Sequence, residues 1–324
     1  MSGEFDLIAT HFAPLAAEPG SFGLKNDAAV FTAEGGVVVT ADAMIQGVHF
    51  LPDDPPHLVA RKLLRVNLSD IAAMGGRAFG YLLTIALPRD LGEAWVAGFA
   101  QGLAEDQAAF GVTLLGGDTV STPGPPSLSL TALGRVVPDR VLRRDGARAG
   151  EGIYVSGSIG DSALGLTVLR GGLEDLDEAA RAALAGRYRL PEPRLELGPR
   201  LAEAGIASAA IDVSDGLVAD LGHIAAGSGL GAELRSADLP LSGPARKALE
   251  GRPALLETLL TGGDDYELLF CAGAGREPAV AELAAALGLP VTCIGRMTEG
   301  TGVRVLAPDG APLDLRKAGW NHFA

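Results

Sequence analysis

Apolar residues recur at helical spacing from Leu58 to Met74, where Leu63, Leu64, Leu68, Ile71 and Ala72 share one face and Gly75-Gly76 marks the stop. The same periodicity predicts helices over Glu93 to Phe110, 161–170, 176–186, 194–204, Leu217 to Ala226 and 277–287, with a short amphipathic one from Glu4 to Phe12. Short β-branched and apolar runs predict strands instead. They are Val37 to Thr40, Tyr81 to Leu87 (stopped by Pro88), Val112 to Leu115 and Ser127 to Val137, the last after a Pro- and Gly-rich loop at 121–126. Further strands are expected at Ile153 to Val155, Ile211 to Val213, Glu267 to Cys271 and Val291 to Ile294.

The first half alternates strands with helices, an α/β pattern, although its long apolar strands could also close into a shared barrel. A basic turn, Arg143-Arg144-Asp145-Gly146, and Pro138-Asp139-Arg140 mark a boundary in the region 138–151. We therefore expect two domains, 1–140 and 141–324, the second of class α+β. A chain of 324 residues exceeds what one hydrophobic core normally serves, which agrees with that division.

Composition narrows the chemistry. Hydrophobic residues make up 48% and charged ones 20%, so the chain can bury a packed core. The formal net charge of −14 argues against a broad nucleic-acid surface, which needs clustered Lys and Arg. Cys271 and Cys293 are the only cysteines, too few for a disulfide framework and not spaced as a zinc site; buried reduced thiols are expected. No apolar run reaches the roughly 18 residues of a membrane span, and the N-terminal stretch has no basic start, so the default location is cytoplasmic.

Against that background the acids stand out. Asp27, Asp42, Asp70, Asp118, Asp212 and Asp215 each lie in a short stretch containing glycine, serine, threonine or another small residue. Most are expected where strands end and loops begin, with Asp70 on a helix. Carboxylates gathered there would repel one another without cations, and hard oxygen ligands suit Mg²⁺, which commonly comes with phosphates. Each acid also has a plainer reading. Asp42 could cap a turn, Asp70 could be solvated helix surface, and Gly116-Gly117-Asp118-Thr119 could be a tight turn. Asp212-Val213-Ser214-Asp215-Gly216 sits at a strand-to-helix turn, where Ser214 or Asp215 could be the helix N-cap. His49 could contact an anionic substrate or pack beside Phe50. There is no P-loop and no HExxH, and Gly227-Ser228-Gly229-Leu230-Gly231-Ala232 follows a helix where a dinucleotide fingerprint needs a strand.

Taken in order, these clusters resemble the thiamine-monophosphate kinase family, within the superfamily that includes aminoimidazole ribonucleotide synthetase. The resemblance extends from Gly3-Glu4-Phe5 through Asp27-Ala28-Ala29-Val30, His49-Phe50, Val66-Asn67-Leu68-Ser69-Asp70 and Arg144-Asp145-Gly146-Ala147. It continues to Gly262-Gly263-Asp264-Asp265-Tyr266-Glu267-Leu268 and Gly319-Trp320-Asn321-His322-Phe323. It implies an α/β N-terminal domain, an α+β C-terminal domain and a homodimer formed through N-domain strands. It also implies ATP-dependent phosphorylation of thiamine monophosphate to thiamine diphosphate by direct transfer, assisted by several Mg²⁺ ions. Asp27, Thr40, Ala41 (through its backbone), Asp42, Asp70, Asp118, Asp212 and Asp215 match the family's metal positions. Gly117, Asp118, Arg144 and Ser214 match nucleotide contacts, and His49, Asp264 and Trp320 match substrate contacts. Asn26, Ala41 and Asp264 depart from the family's usual residues.

An acceptor that is already an ionised phosphate needs no strong protein base, in keeping with the lack of a catalytic His. Trp320 could stack on a cationic thiazolium or simply pack at the C-terminus. The competing expectations are another ATP-using member of the superfamily, such as aminoimidazole ribonucleotide synthetase or selenophosphate synthetase, and a nucleotide-binding regulator without turnover. An early catalytic Cys would favour the selenophosphate enzyme; neither Cys lies before residue 271.

Overall fold

The computed structural model describes residues 7–24 and 35–320. Asp27, Asn26 and the start of the expected Glu4–Phe12 helix lie outside them, as do residues 321–324. Within the described residues the N-terminal stretch forms a short π-helical turn, Ile8–Phe12, in place of a regular amphipathic helix. Contacts divide the chain into two units, Met1–Ile71 with Gly76–Pro138, and Ala72–Gly75 with Asp139–Ala324.

In the first unit, β1 (Gly36–Ile45) leads to α1 (Pro56–Ala73), β2 (Arg77–Pro88), α2 (Glu93–Phe110), β3 (Thr113–Thr122) and β4 (Ser127–Val136). The sheet order is β1-β4-β2-β3. Strand β4 is antiparallel to β1 and β2, while β2 and β3 are parallel, joined by the crossover through α2. Strands β1 and β3 are longer than their apolar runs predict. Asp42 and Asp118 therefore stand within strands, where strand ends were expected. Alternation on β1 sends Val38, Thr40, Asp42 and Met44 to one face and Val37, Val39, Ala41, Ala43 and Ile45 to the exposed one. Helix α1 covers the first face, since a Cβ at Gly134 would strike both Ile71 and Val38. Leu63, Leu64, Leu68 and Ile71 are fully buried there, each stabilising by about 1.5–3 kcal/mol.

The second unit has β5 (Gly152–Ser156), α3 (Asp161–Leu169), α4 (Glu178–Arg189), α5 (Leu197–Glu203), β6 (Ala207–Asp212) and α6 (Leu217–Ser228). There follow β7 (Gly231–Arg235), α7 (Gly243–Leu249), α8 (Leu255–Thr261), β8 (Leu268–Ala272), α9 (Glu277–Leu287), β9 (Val291–Thr298) and β10 (Gly302–Leu306). The sheet runs β10-β7-β9-β5-β8-β6 and is antiparallel except for β10 with β7. Period 2 sorts its side chains onto two cores. Ile153, Val155, Ile211, Leu269 and Cys271 pack with Leu217, Leu221 and Ile224 of α6. Tyr154, Ala210, Leu268 and Phe270 pack with Leu197 and Leu201 of α5 and Val280 of α9. Strand β8 is covered on both faces, which explains its unbroken apolar run. Gly227 to Ala232, the weak dinucleotide match, is the end of α6 and the start of β7. Cys271 is buried as expected, with its thiol pushed up to about 12 by burial, but Cys293 is exposed, at odds with the expectation of two buried thiols.

One buried ion network braces the first unit. Asp106, fully buried on α2, accepts Arg65 Nε at 2.6 Å and Nη2 at 3.0 Å, and Arg61 Nε at 2.9 Å. Asp106→Ala would remove the carboxylate that both guanidinium groups share, leaving Arg61 with Glu105 and Arg65 buried without it, and we expect a loss of about 3–5 kcal/mol in denaturant unfolding. A loss below about 1 kcal/mol, the size of an exposed pair, would contradict this role.

Candidate functional site

Strand β1 and helix α1 form a two-rung polar ladder in the first unit. Thr40 Oγ1 donates to Asp70 Oδ2 at 2.7 Å, and the Asp42 N–H donates to Asn67 Oδ1 at 3.0 Å. The sequence dictates this match. Thr40 and Asp42 are two apart on a strand and Asn67 and Asp70 three apart on a helix, so each pair shares a face. Asn67 is fully buried and turns its amide to the Leu63 carbonyl at 2.9 Å, so the orientation of its acceptor oxygen is set by the helix. In the sequence Asn67 is only one polar position of the Val66–Asp70 stretch, with no sign of this role. Ala41, on the exposed face, could contribute only backbone.

Asp118 is placed differently. Register aligns Asp42, Leu130, Leu83 and Gly117 in one row, and Ala43, Ser129, Thr84 and Asp118 in the next. Successive rows point to opposite faces, so Asp118 lies on the exposed face, away from Asp42 and Asp70. Its Oδ1 accepts the Thr119 N–H at 2.8 Å. Gly117 is required where it stands, because a Cβ there would lie 1.8 Å from the Leu83 carbonyl oxygen on the neighbouring strand. His49 Nδ1 accepts the Ile45 N–H at 3.0 Å, which puts the proton of a neutral ring on Nε2. Its carbonyl accepts Lys62 Nζ at 3.1 Å.

In the second unit the β6–α6 turn, Asp212 to Gly216, is joined to the loop before β8. Asp264 N–H donates to the Ser214 carbonyl, Tyr266 N–H to the Val213 carbonyl and Val213 N–H to the Glu267 carbonyl, each at 2.8 Å. The Trp320 N–H donates to the Asp215 carbonyl at 2.9 Å. Ser214, Asp215, Asp264 and Trp320 are thereby brought together, with buried Asp212 ending β6 beside them. The geometry requires unusual backbone. Asp264 has φ +72° and Tyr266 φ +53°, conformations that side-chain-bearing residues hold only when surroundings enforce them. Gly263 admits the close approach, since its Cβ would lie 2.2 Å from the Ser214 carbonyl oxygen. Tyr266 Oη donates to Asp264 Oδ1 at 3.2 Å. Arg144 is exposed, and its carbonyl accepts Ser228 Oγ at 3.3 Å.

Three buried acids here were not singled out from sequence. Asp220, rather than Ser214 or Asp215, caps α6: the N-cap position is Gly216, and Asp220 reaches back from the first turn to its amide at 3.1 Å. Burial and the Asp215 carboxylate push Asp220 up to about 7, while its amide bonds pull the other way. Asp265 accepts the Gly160 N–H at 2.7 Å and the Ser162 N–H at 3.3 Å, and burial raises it well above the usual carboxylate range. Glu267 is fully buried and accepts Arg194 Nε at 2.6 Å and Nη2 at 2.5 Å, Arg187 Nη2 at 3.0 Å and Ser156 Oγ at 2.6 Å. The signal available was the run of acids before β8: an acid beside an apolar strand needs a partner, and these found Arg or backbone amides.

Among the described residues, no group of three or more His, Cys, Asp and Glu is gathered to hold a metal. The donors that meet across β1 and α1 are all hard oxygens or close to them. That set fits Mg²⁺, which takes one or two carboxylates and fills its octahedron with waters and phosphate oxygens, and does not fit a soft metal.

The sequence profile of the AIR synthase related protein N-terminal domain matches residues 25–136, and that of the C-terminal domain residues 148–307. The two units thus have the two-domain architecture of that class, α/β followed by α+β. A thiamine-monophosphate kinase from Caulobacter vibrioides is 43% identical over 98% of this chain and 90% of its own. The crystal structure of thiamine-monophosphate kinase from Stenotrophomonas maltophilia K279a superimposes with a TM-score of 0.81 and 42% identity, covering 90% of this chain and 91% of that one. The structure of AaThiL complexed with AMPPCP and TMP gives a TM-score of 0.78 and 33% identity over 94% and 98% of the two chains. The chain belongs to the thiamine-monophosphate kinase family, a family of enzymes within the AIR synthase related proteins.

Gly263→Ala tests the joined loops. Forcing the two backbones apart is expected to lower hydrogen-exchange protection of the Asp264 and Tyr266 amides by about tenfold or more, with the rest of β8 unchanged. Wild-type protection at both amides would contradict the close approach.

Proposed function

We propose that this chain transfers the γ-phosphoryl group of ATP to thiamine monophosphate, giving thiamine diphosphate and ADP. The observation that carries the reading is the convergence of Ser214, Asp215, Asp264 and Trp320 on one turn of the second unit. Family membership supports the substrates, since AaThiL is a member crystallised with AMPPCP and TMP.

The residues divide by chemistry. The oxygen donors for Mg²⁺ are Thr40, Asp42 and Asp70 on one face of the first sheet, Asp118 and the Ala41 backbone on its other face, Asp212 and Asp215 in the second unit, and Asp27 (outside the described residues). Held by such donors, several Mg²⁺ ions would screen phosphate charge and permit in-line approach of an acceptor oxygen. Gly117, through its unhindered backbone, and Asp118, Arg144 and Ser214 bind the nucleotide. His49 offers an Nε2–H to an anionic oxygen. Asp264, held by Tyr266 Oη, faces the acceptor, and Trp320, half exposed with its backbone fixed to Asp215, supplies an aromatic face to a cationic ring. A cation over that face contributes about 0.5–2 kcal/mol. No protein base is needed for a phosphate acceptor that is already ionised.

A homodimer belongs to the same reading. Val37, Val39, Ile45 and Leu82 are exposed at 40%, 57%, 37% and 41%, and register puts them on one sheet face. Such a patch, on a sheet whose edge strands among the described residues are β1 and β3, suits a second copy of this chain. Asp118 stands on that face, available to a site shared with the second copy. No helix among the described residues is long and apolar enough to cross a membrane. Use of ATP supports a cytoplasmic place of action, and partners other than the two substrates and the second copy, nucleic acid included, are not part of the reading.

The direct test is an assay of purified protein with ATP, Mg²⁺ and thiamine monophosphate, following thiamine diphosphate and ADP. No product over a broad Mg²⁺ range would sink the kinase reading. Asp42→Asn and Asp212→Asn are each expected to lower turnover about a hundredfold or more with the fold intact; near-normal turnover in both would remove their assigned roles. Val39→Asp should give a monomer by light scattering where the wild type is a dimer, and a monomeric wild type would refute the shared face.

A further inference from the structure

We propose that Asp220 is a positioning residue that sets the acceptor side of the site by orienting three successive peptide planes of the β6–α6 turn. The inference rests on the kinase reading above and assigns a role to a buried residue to which that reading gives none.

One carboxylate oxygen, Asp220 Oδ2, accepts the N–H groups of Ser214, Asp215 and Gly216 at 3.0, 3.0 and 3.1 Å. In a trans peptide the carbonyl points opposite to the N–H it shares a plane with. The three carbonyls on the far side belong to Val213, Ser214 and Asp215. They accept, in that order, the N–H groups of Tyr266, Asp264 and Trp320 at 2.8, 2.8 and 2.9 Å. Each plane is therefore held at both ends, at one end by Asp220 and at the other by a residue of the acceptor side. A rotation of any plane that broke its bond to Asp220 would also turn away the carbonyl that places Asp264, Tyr266 or Trp320.

Asp220 is suited to this and to little else. It is 2% exposed and sits in the first turn of α6, behind the turn it holds. The N-cap, Gly216, has φ +122° and no side chain to satisfy the free amides, so the carboxylate from within the helix takes over the capping. Convergence of three amides on one oxygen fixes the direction of all three, which separate caps would not do. Asp264 and Tyr266, held at positive φ, would relax toward ordinary backbone once the carbonyls they bind were released.

The test compares Asp220→Ala, which removes the acceptor, with Asp220→Asn, which keeps an oxygen in its place, by steady-state kinetics and amide hydrogen exchange beside the wild type. Asp220→Ala is expected to raise the KM for thiamine monophosphate about tenfold or more and to expose the Asp264, Tyr266 and Trp320 amides to exchange. Asp220→Asn is expected to restore both to within about threefold of wild type, a rescue that general loss of stability would not show. If Asp220→Ala does not fold, Asp220→Ser, whose shorter hydroxyl reaches fewer amides, is read in the same way. Wild-type KM and wild-type protection of the three amides in the variant lacking the acceptor would overturn the inference. The two readouts separate the failures. A wild type without turnover overturns the kinase reading and the acceptor-side role with it, whereas an active wild type with unmoved amides in the variant overturns the role of Asp220 alone.

Discussion

A turn that leaves a buried strand and enters a buried helix exposes peptide groups on both of its sides, and each of those groups needs a partner where water is scarce. Between β6 and α6 the need is met on one side by Asp220 and on the other by the backbone of residues 264–266 and of Trp320. This constraint organises the second unit. It requires the loop before β8 to come within backbone distance of the turn, hence Gly263, and it requires Asp264 and Tyr266 to adopt positive φ. Glu267, one residue further, is then carried inside, where only a bidentate arginine and a second guanidinium make its charge tolerable.

The same economy governs the other buried acids. Asp106 is matched by two arginines, and Asp265 by amides at the start of α3. Asp161 accepts Ser158 Oγ at 2.6 Å and also bonds Ser242. A net charge of −14 therefore does not describe a uniformly acidic surface. Part of the negative charge is folded inward onto arginines, amides and hydroxyls, while Asp42, Asp70 and Asp118 in the first unit and Asp215 and Asp264 in the second keep partial or full contact with solvent.

Helices with strong periodicity were legible in sequence: Glu93–Phe110 is predicted and observed with the same ends, and α9 likewise. Both have clear stops, Gly111 and Gly288, in left-handed conformation. Strand β1 was read too short because Ala41-Asp42-Ala43 carries no apolar signal, yet pairing with β4 extends it through that stretch to Ile45. Strands β7 and β10 and helices α7 and α8 were missed. They are five to seven residues long, and their stability comes from tertiary packing more than from local pattern. At the site, Ser214, Asp215 and Asp264 were legible as polar punctuation between apolar runs. Asp220 was not, because an acid in the first turn of a helix reads as a favourable charge on the dipole and gives no hint that it bonds backward.

The face of the first sheet was hidden for a similar reason. Sequence shows Asp42 and Asp118 as two acids near glycine or alanine, and alternation within one strand cannot say how two strands align. Register decides it, by placing Asp42 opposite Leu130 and Asp118 opposite Thr84. Exposed valines on the Asp118 face and a helix over the Asp42 face then give the two carboxylates different surroundings. Asp42 sits among fixed hydrogen bonds from α1 and β1, the setting that the proposed Mg²⁺ role would use. Asp118 sits at the border of an apolar patch, where a carboxylate is stable only while solvated or paired. Covering that patch would leave Asp118 to be satisfied by a cation or a ligand, so in the proposed dimer the same contact that buries the valines also recruits the acid.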